Sequence, residues 1–139
     1  MSVAEVRDLC VAPFPLSKTR APIMAGFELL LEKLGKEGIK AEIWIDGSFI
    51  SKKLNPSDID ILVCADAEIY DANSSVRKVL DWLDQEDLKP TYFCDSYLQL
   101  DYPDGHKNRV LSERTKTSWR RWFHTDRSGH PRGLAAILI

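Results

Sequence analysis

The apolar positions fall into short periodic runs that alternate between helical and extended spacing. Ile23, Phe27, Leu30, Leu31 and Leu34 follow the i, i+4, i+7, i+8, i+11 rhythm of one helical face. Ser17 or Thr19 is available to cap that helix, Pro22 suits its first turn, and Gly35 or Gly38 can end it. Residues 41–46 (Ala-Glu-Ile-Trp-Ile-Asp) read as a strand cut off by Gly47-Ser48. Asn55-Pro56-Ser57 is a turn signal, and residues 58–64, rich in Ile and Val, read as a second strand. Val76, Val79, Leu80 and Leu83 mark a second helix, capped by Asn73 or Ser74. Residues 91–102 alternate aromatic and polar positions, which predicts a third strand closed by Pro103-Asp104-Gly105. Residues 107–123 predict a third helix, 126–129 a tight turn and 133–139 a last short strand. Residues 1–16, with two prolines around Phe14, read as an irregular arm. The order is that of an α/β (α+β) domain: a small mixed β-sheet flanked by helices.

Composition narrows this further. A chain of 139 residues fits one domain, and 44% hydrophobic with 29% charged residues is the balance of a folded protein rather than a disordered one. The longest apolar run, residues 134–139, is far too short to span a membrane. The N-terminus lacks the basic-then-apolar order of a signal peptide, so a cytoplasmic protein is expected. Cys10, Cys64 and Cys94 are odd in number with no C-x-x-C spacing, which predicts three core thiols rather than a disulfide framework or a zinc site. The small net charge of −2 hides an asymmetry: residues 58–104 hold 3 basic and 12 acidic side chains, whereas residues 106–133 hold 8 and 2.

The chemistry sits where the first two strands meet. Ile43-Trp44-Ile45-Asp46-Gly47-Ser48 is followed after nine residues by Asp58-Ile59-Asp60-Ile61-Leu62-Val63. Residues i and i+2 of a strand share a face, so the carboxylates of Asp58 and Asp60 project side by side. Held that close they repel unless a cation or protons sit between them, and oxygen-only ligation suits Mg²⁺ or Mn²⁺. Gly47 lets a phosphate approach the backbone, and Ser48 adds a hydroxyl and an N–H at the same point. Arg127 and Arg132 are further phosphate candidates, because Gly129, Pro131 and Gly133 give their turn a fixed shape. Arg114, Lys116, Arg120 and Arg121 interleave with Trp119 and Trp122, a nucleic-acid footprint on its face. The simpler reading packs a tryptophan in the core and leaves the arginines in water. His106, His124 and His130 are too dispersed for a metal triad and read as surface residues.

A strand ending in Gly47-Ser48 and a second opening in Asp58-x-Asp60 resemble the nucleotidyltransferase superfamily typified by DNA polymerase beta. Within it, residues 46–60 (Asp-Gly-Ser-Phe-Ile-Ser-Lys-Lys-Leu-Asn-Pro-Ser-Asp-Ile-Asp) are most similar to a small bacterial and phage branch. That branch also tends to end in Trp, an aromatic, Asp-Arg-x-Gly-x-Pro-Lys-Gly and a short apolar strand, matched by residues 122–133 with Arg132 for the lysine. The resemblance implies Mg²⁺ or Mn²⁺ held by Asp58, Asp60 and a third carboxylate on a later strand. Asp95, set mid-strand in Phe93-Cys94-Asp95-Ser96-Tyr97, is preferred over Asp101, which lies at the strand end against Tyr102-Pro103. Their even separation puts both on one face, so spacing does not decide.

The implied reaction moves a nucleotidyl group from a nucleoside triphosphate to an acceptor: a protein side chain, an RNA end or a small molecule. A protein partner and a toxin–antitoxin or phage-defence setting come with the resemblance alone. Minimal members continue Gly-Ser with a small residue, Arg and Gly, whereas this chain has Phe49-Ile50-Ser51-Lys52-Lys53. Lys52 or Lys53 then takes the place of the arginine near the triphosphate, with less geometric definition. That departure, and the absence of a separate acceptor-binding domain, motivate the alternative of a nucleotide-binding or regulatory module with weak or no turnover. Haloacid-dehalogenase-like phosphatases and glycosyltransferases also use Asp-x-Asp, but at the end of an apolar strand. Here the apolar run Ile61-Leu62-Val63-Cys64 follows the second aspartate.

Overall fold

Strand alternation divides the core in two. In the computed structural model, which describes residues 1–124 and 135–139, β1 (Ala41–Asp46), β2 (Ile59–Asp66), β3 (Cys94–Asp101) and β4 (Ala135–Leu138) form one sheet in the order β3-β2-β1-β4. β1 is antiparallel to both β2 and β4, and β2 is parallel to β3. One face carries Ile43, Ile45, Ile59, Ile61 and Val63 into the main core. There they meet Phe27, Leu30 and Leu34 of α2 (Arg20–Lys36) and Leu80 and Leu83 of α4 (Ser74–Gln85). The opposite face carries Trp44, Leu62 and Cys64 against Phe123 and Trp119 of α6 (Arg109–His124). β2 is thus buried on both sides, which is why its sequence is a continuous apolar run rather than an alternating one.

A parallel pair cannot be joined by a hairpin, and the β2–β3 crossover holds three helical pieces: α3 (Ala67–Ala72), α4 and the single turn α5 (Lys89–Tyr92). The expected α/β class and its flanked mixed sheet are what is observed. Asn73 caps α4 by accepting from the N–H groups of Ser75 and Val76. At α2 it is the Ser17 hydroxyl that accepts from the Arg20 N–H, while Thr19 makes no side-chain cap. Gly38, at φ +75°, ends that helix, and the Ile39 N–H returns to the Leu34 carbonyl.

Two expectations are corrected. The stretch 1–16 is not wholly irregular, because Val3–Cys10 forms α1 with a Ser2/Glu5 capping box and buries Val6 and Cys10. The third strand starts at Cys94 rather than at residue 91, because α5 takes the preceding residues and Phe93 turns the chain at φ 56°. The turn at 126–129, together with Arg127, His130 and Arg132, lies outside the described residues. Among the described residues, no helix is long and apolar enough to cross a membrane.

One side chain ties the N-terminal segment to the loop after β1. Arg20 is fully buried, and its guanidinium donates to the carbonyls of Cys10 (2.8 Å), Ser51 (2.8 Å), Phe49 and Lys53, with a longer contact to Ser48 (3.4 Å). Its Cζ lies 3.8 Å from the centre of the Phe14 ring. Burial of a full charge is tolerable only with this degree of satisfaction.

Arg20→Met should therefore cost about 3 kcal/mol in urea unfolding, because carbonyls left buried without a donor each carry a penalty of about 1–3 kcal/mol. Trypsin should then cut faster after the exposed Lys52 and Lys53. A loss below about 1 kcal/mol would mean that other contacts hold the loop. A second expectation concerns pH. Burial pushes the Cys64 thiol from an ordinary 9.0 up to about 12. The unfolded chain ionises first, so stability is full below pH 9 and falls as pH rises toward 12. Melting curves across that window should slope less steeply for Cys64→Ala than for the native protein.

Candidate metal centre

Three carboxylates gather at one end of β2 and β3. Asp58 immediately precedes β2, Asp60 is its second residue, and Asp95 is the residue of β3 in register with Asp60. One oxygen from each can be chosen so that all three lie within 4.8 Å of one another, and each residue is half-buried. On the other side of β2, Asp46 at the end of β1 is in register with Asp60 and is buried. A compact all-oxygen set of this kind fits a hard divalent cation such as Mg²⁺ or Mn²⁺.

The turn after β1 is shaped around the same group. Gly47 has φ +85°, and a Cβ placed on it would come 2.3 Å from the Asp60 Oδ2. The backbone thus lies against the carboxylate, and only glycine leaves room for it. Ser48 opens a 3-10 turn (Ser48–Ile50) and its carbonyl accepts from the Ser51 N–H and hydroxyl. Lys52 and Lys53 follow in the loop held by Arg20, and their side chains are exposed.

Two residues that the sequence reading does not assign to the site complete the surroundings. The Lys89 ammonium lies 3.5 Å from Asp58 Oδ2 and 3.8 Å from Asp95 Oδ2. The charges of Asp95 and then Asp58 raise its pKa. The Tyr97 hydroxyl donates to Asp95 Oδ2 at 3.1 Å, which fixes that carboxylate from the side of α6. Burial, followed by the negative charge of Asp95, pushes the phenol up to about 12, so it stays a donor at physiological pH. Tyr97 follows Asp95 by two residues, a strand-face relation visible in the sequence. Lys89 has no such local signal, because the turn of α5 alone brings it in.

The two carboxylates that spacing left open separate completely. Asp101 is in register with Asp66 at the other end of β3, where Lys116 Nζ pairs with it at 2.9 Å and Gln99 Nε2 donates to it at 3.1 Å. Trp119 is half-buried against Tyr97, while Trp122 stays 49% exposed beside it. Lys116 and Arg120 stand over the Trp44 ring, at 5.6 and 5.7 Å. His106 stacks on Tyr102, away from the triad in the sequence and in the fold.

Gly47→Ala should disturb the carboxylates more than the fold. Gly105 has nearly the same φ, +84°, with no atom within 4 Å of a Cβ there, so Gly105→Ala is the comparison for a positive-φ alanine without the clash, a backbone strain of about 1–3 kcal/mol. Calorimetric titration with Mn²⁺ should show binding lost in the Gly47 variant and kept in the Gly105 variant. Equal affinity in both would mean that the clash with Asp60 is relieved without moving it.

No curated protein and no solved structure matches the chain. A family model does, over residues 1–138, nearly the whole length. The chain belongs to a family of unknown function, DUF6932.

Proposed function

We propose that the protein is a metal-dependent nucleotidyltransferase, moving a nucleotidyl group from a nucleoside triphosphate to an acceptor. The observation that carries this reading is the convergence of Asp58, Asp60 and Asp95 on adjoining strand ends, with Gly47 packed against Asp60. Bound Mg²⁺ or Mn²⁺ supplies activation of the acceptor hydroxyl and neutralisation of the triphosphate and its leaving pyrophosphate. The three aspartates hold the cation, and Tyr97 fixes the orientation of Asp95. Gly47 seats its backbone against Asp60, and Ser48 beside it offers a hydroxyl to the β- and γ-phosphates. Lys52, Lys53, Arg127 and Arg132 are the proposed phosphate contacts. Catalysis on this scheme comes from alignment and charge neutralisation, with no covalent step on the protein. The acceptor is a protein side chain, an RNA end or a small molecule.

One feature favours a second reading, a nucleotide-binding or regulatory module without turnover. Where the nucleotidyltransferases that the chain resembles place a small residue and then an arginine after Gly-Ser, this chain has Phe49, fully buried, with its carbonyl bound by Arg20. Titration of nucleoside triphosphates with Mg²⁺, followed by a pyrophosphate-release assay, separates the two. Binding without release across protein, RNA and small-molecule acceptors would favour the module.

Asp58→Asn should abolish Mg²⁺-dependent triphosphate binding while leaving melting without metal unchanged or slightly raised, since it relieves repulsion among the carboxylates. Asp95→Asn should weaken Mn²⁺ binding about as much as Asp60→Asn. Asp101→Asn should leave it unaltered and lose the largely covered ion pair with Lys116, a stability cost of about 1–3 kcal/mol for a desolvated charge left without its partner. Mn²⁺ affinity that responds to Asp101 and not to Asp95 would overturn the site.

A further inference from the structure

Three carboxylates drawn together repel one another, and something must offset that repulsion when the site holds no divalent ion. Lys89 is placed to do so by a turn built from several independent contacts. The Asp87 carboxylate accepts from the Lys89 N–H at 3.1 Å, and the Phe93 N–H returns to the Lys89 carbonyl at 3.0 Å. The Phe93 carbonyl in turn accepts from the Ile59 N–H at 2.9 Å, which fastens the end of α5 between Asp58 and Asp60 in sequence. Gly26 of α2 lets the turn approach closely, because a Cβ there would lie 2.5 Å from the Tyr92 carbonyl oxygen. The backbone of Lys89 is thus held beside the triad, while its side chain remains 51% exposed on a flexible four-carbon stem.

We propose that Lys89 is the resident counter-ion of this site. Its ammonium bridges Asp58 and Asp95 in the absence of ligand, competes there with divalent metal, and swings onto the phosphates when a metal-bound triphosphate arrives. The inference rests on reading the triad as a divalent-metal site, and it adds a residue that exchanges partners during loading. It predicts opposite signs for one substitution. Removal of the ammonium should favour the bare metal and disfavour the metal-bound triphosphate, a pattern that loss of a merely structural residue does not produce.

The test uses the full chain with Mn²⁺ alone, followed by inorganic tripolyphosphate with Mn²⁺, read by electron paramagnetic resonance and calorimetry. Lys89→Met should bind Mn²⁺ about fivefold more tightly and the Mn²⁺–tripolyphosphate about fivefold more weakly, the scale of one partly exposed ion pair. Lys89→Arg, which keeps the charge, should stay near the native values, and melting temperatures identify any variant that is misfolded. Unchanged or weaker Mn²⁺ binding by a folded Lys89→Met would overturn the counter-ion, and tighter Mn²⁺ with unaltered tripolyphosphate would overturn the transfer to phosphate. Failure of the underlying reading looks different: native protein, Lys89→Met and Asp60→Asn would all titrate alike with Mn²⁺.

Discussion

A buried guanidinium organises this molecule. Arg20 begins α2, an end of a helix where a positive charge is disfavoured by the macrodipole, and it has no access to water. Its charge is met by five backbone carbonyls, from Cys10, Ser48, Phe49, Ser51 and Lys53, and by the face of Phe14. Four of those carbonyls belong to the loop that leaves Gly47. The fold of the first twenty residues is thereby transmitted to the turn against Asp60. The loop between β1 and β2 has few apolar anchors besides Phe49, and the arginine supplies the fixed points it would otherwise lack.

The two faces of the sheet pack against different helices. The face carrying Ile43, Ile45, Ile59 and Ile61 is sealed by α2 and α4. The other is covered by α6, whose Ser112 bonds near Leu100 and Tyr102 and whose Phe123 and Trp119 reach Trp44 and Tyr97. Beyond Tyr97 the same face continues to Asp95, Asp60 and Asp46. The parallel β2–β3 register then determines which of them meet, since it sets Asp60 opposite Asp95 and Ile59, beside Asp58, opposite Cys94.

Much of this was legible in the sequence, and the limits are instructive. β1, β2, α2 and α4 announce themselves because their periods run over several apolar residues, and Asp58-x-Asp60 needs only the two-residue repeat of a strand. α1 was missed because a short helix with Val6 and Cys10 as its buried residues leaves almost no period, although Ser2 and Glu5 spelled out its capping box. α5 was absorbed into the third strand because the chain reverses at Phe93, a non-glycine residue with positive φ that no local rule anticipates. Nothing in the sequence singles out Arg20, since its acceptors are backbone atoms up to 33 residues away. Spacing could not choose between Asp95 and Asp101. Register and the partner on α6 chose, and neither is encoded within ten residues of either aspartate.

Charge placement explains why the two ends of β3 differ in kind. The acidic middle of the chain and its basic last third do not simply neutralise each other. α6 delivers Lys116 to Asp101, with both side chains about three-quarters covered, and Arg109 to Asp104 and Glu113. The Lys116–Asp101 pair fixes the helix at the end of the sheet far from the triad. At the near end, among the described residues, the cation that Asp58 and Asp95 meet is a half-exposed lysine on a single helical turn. A covered pair is costly to open, because its partner would be left desolvated, whereas a half-exposed pair exchanges into water at little cost. The same strand therefore carries one carboxylate committed to structure and another whose cation can be replaced, and the difference lies in burial rather than in residue type.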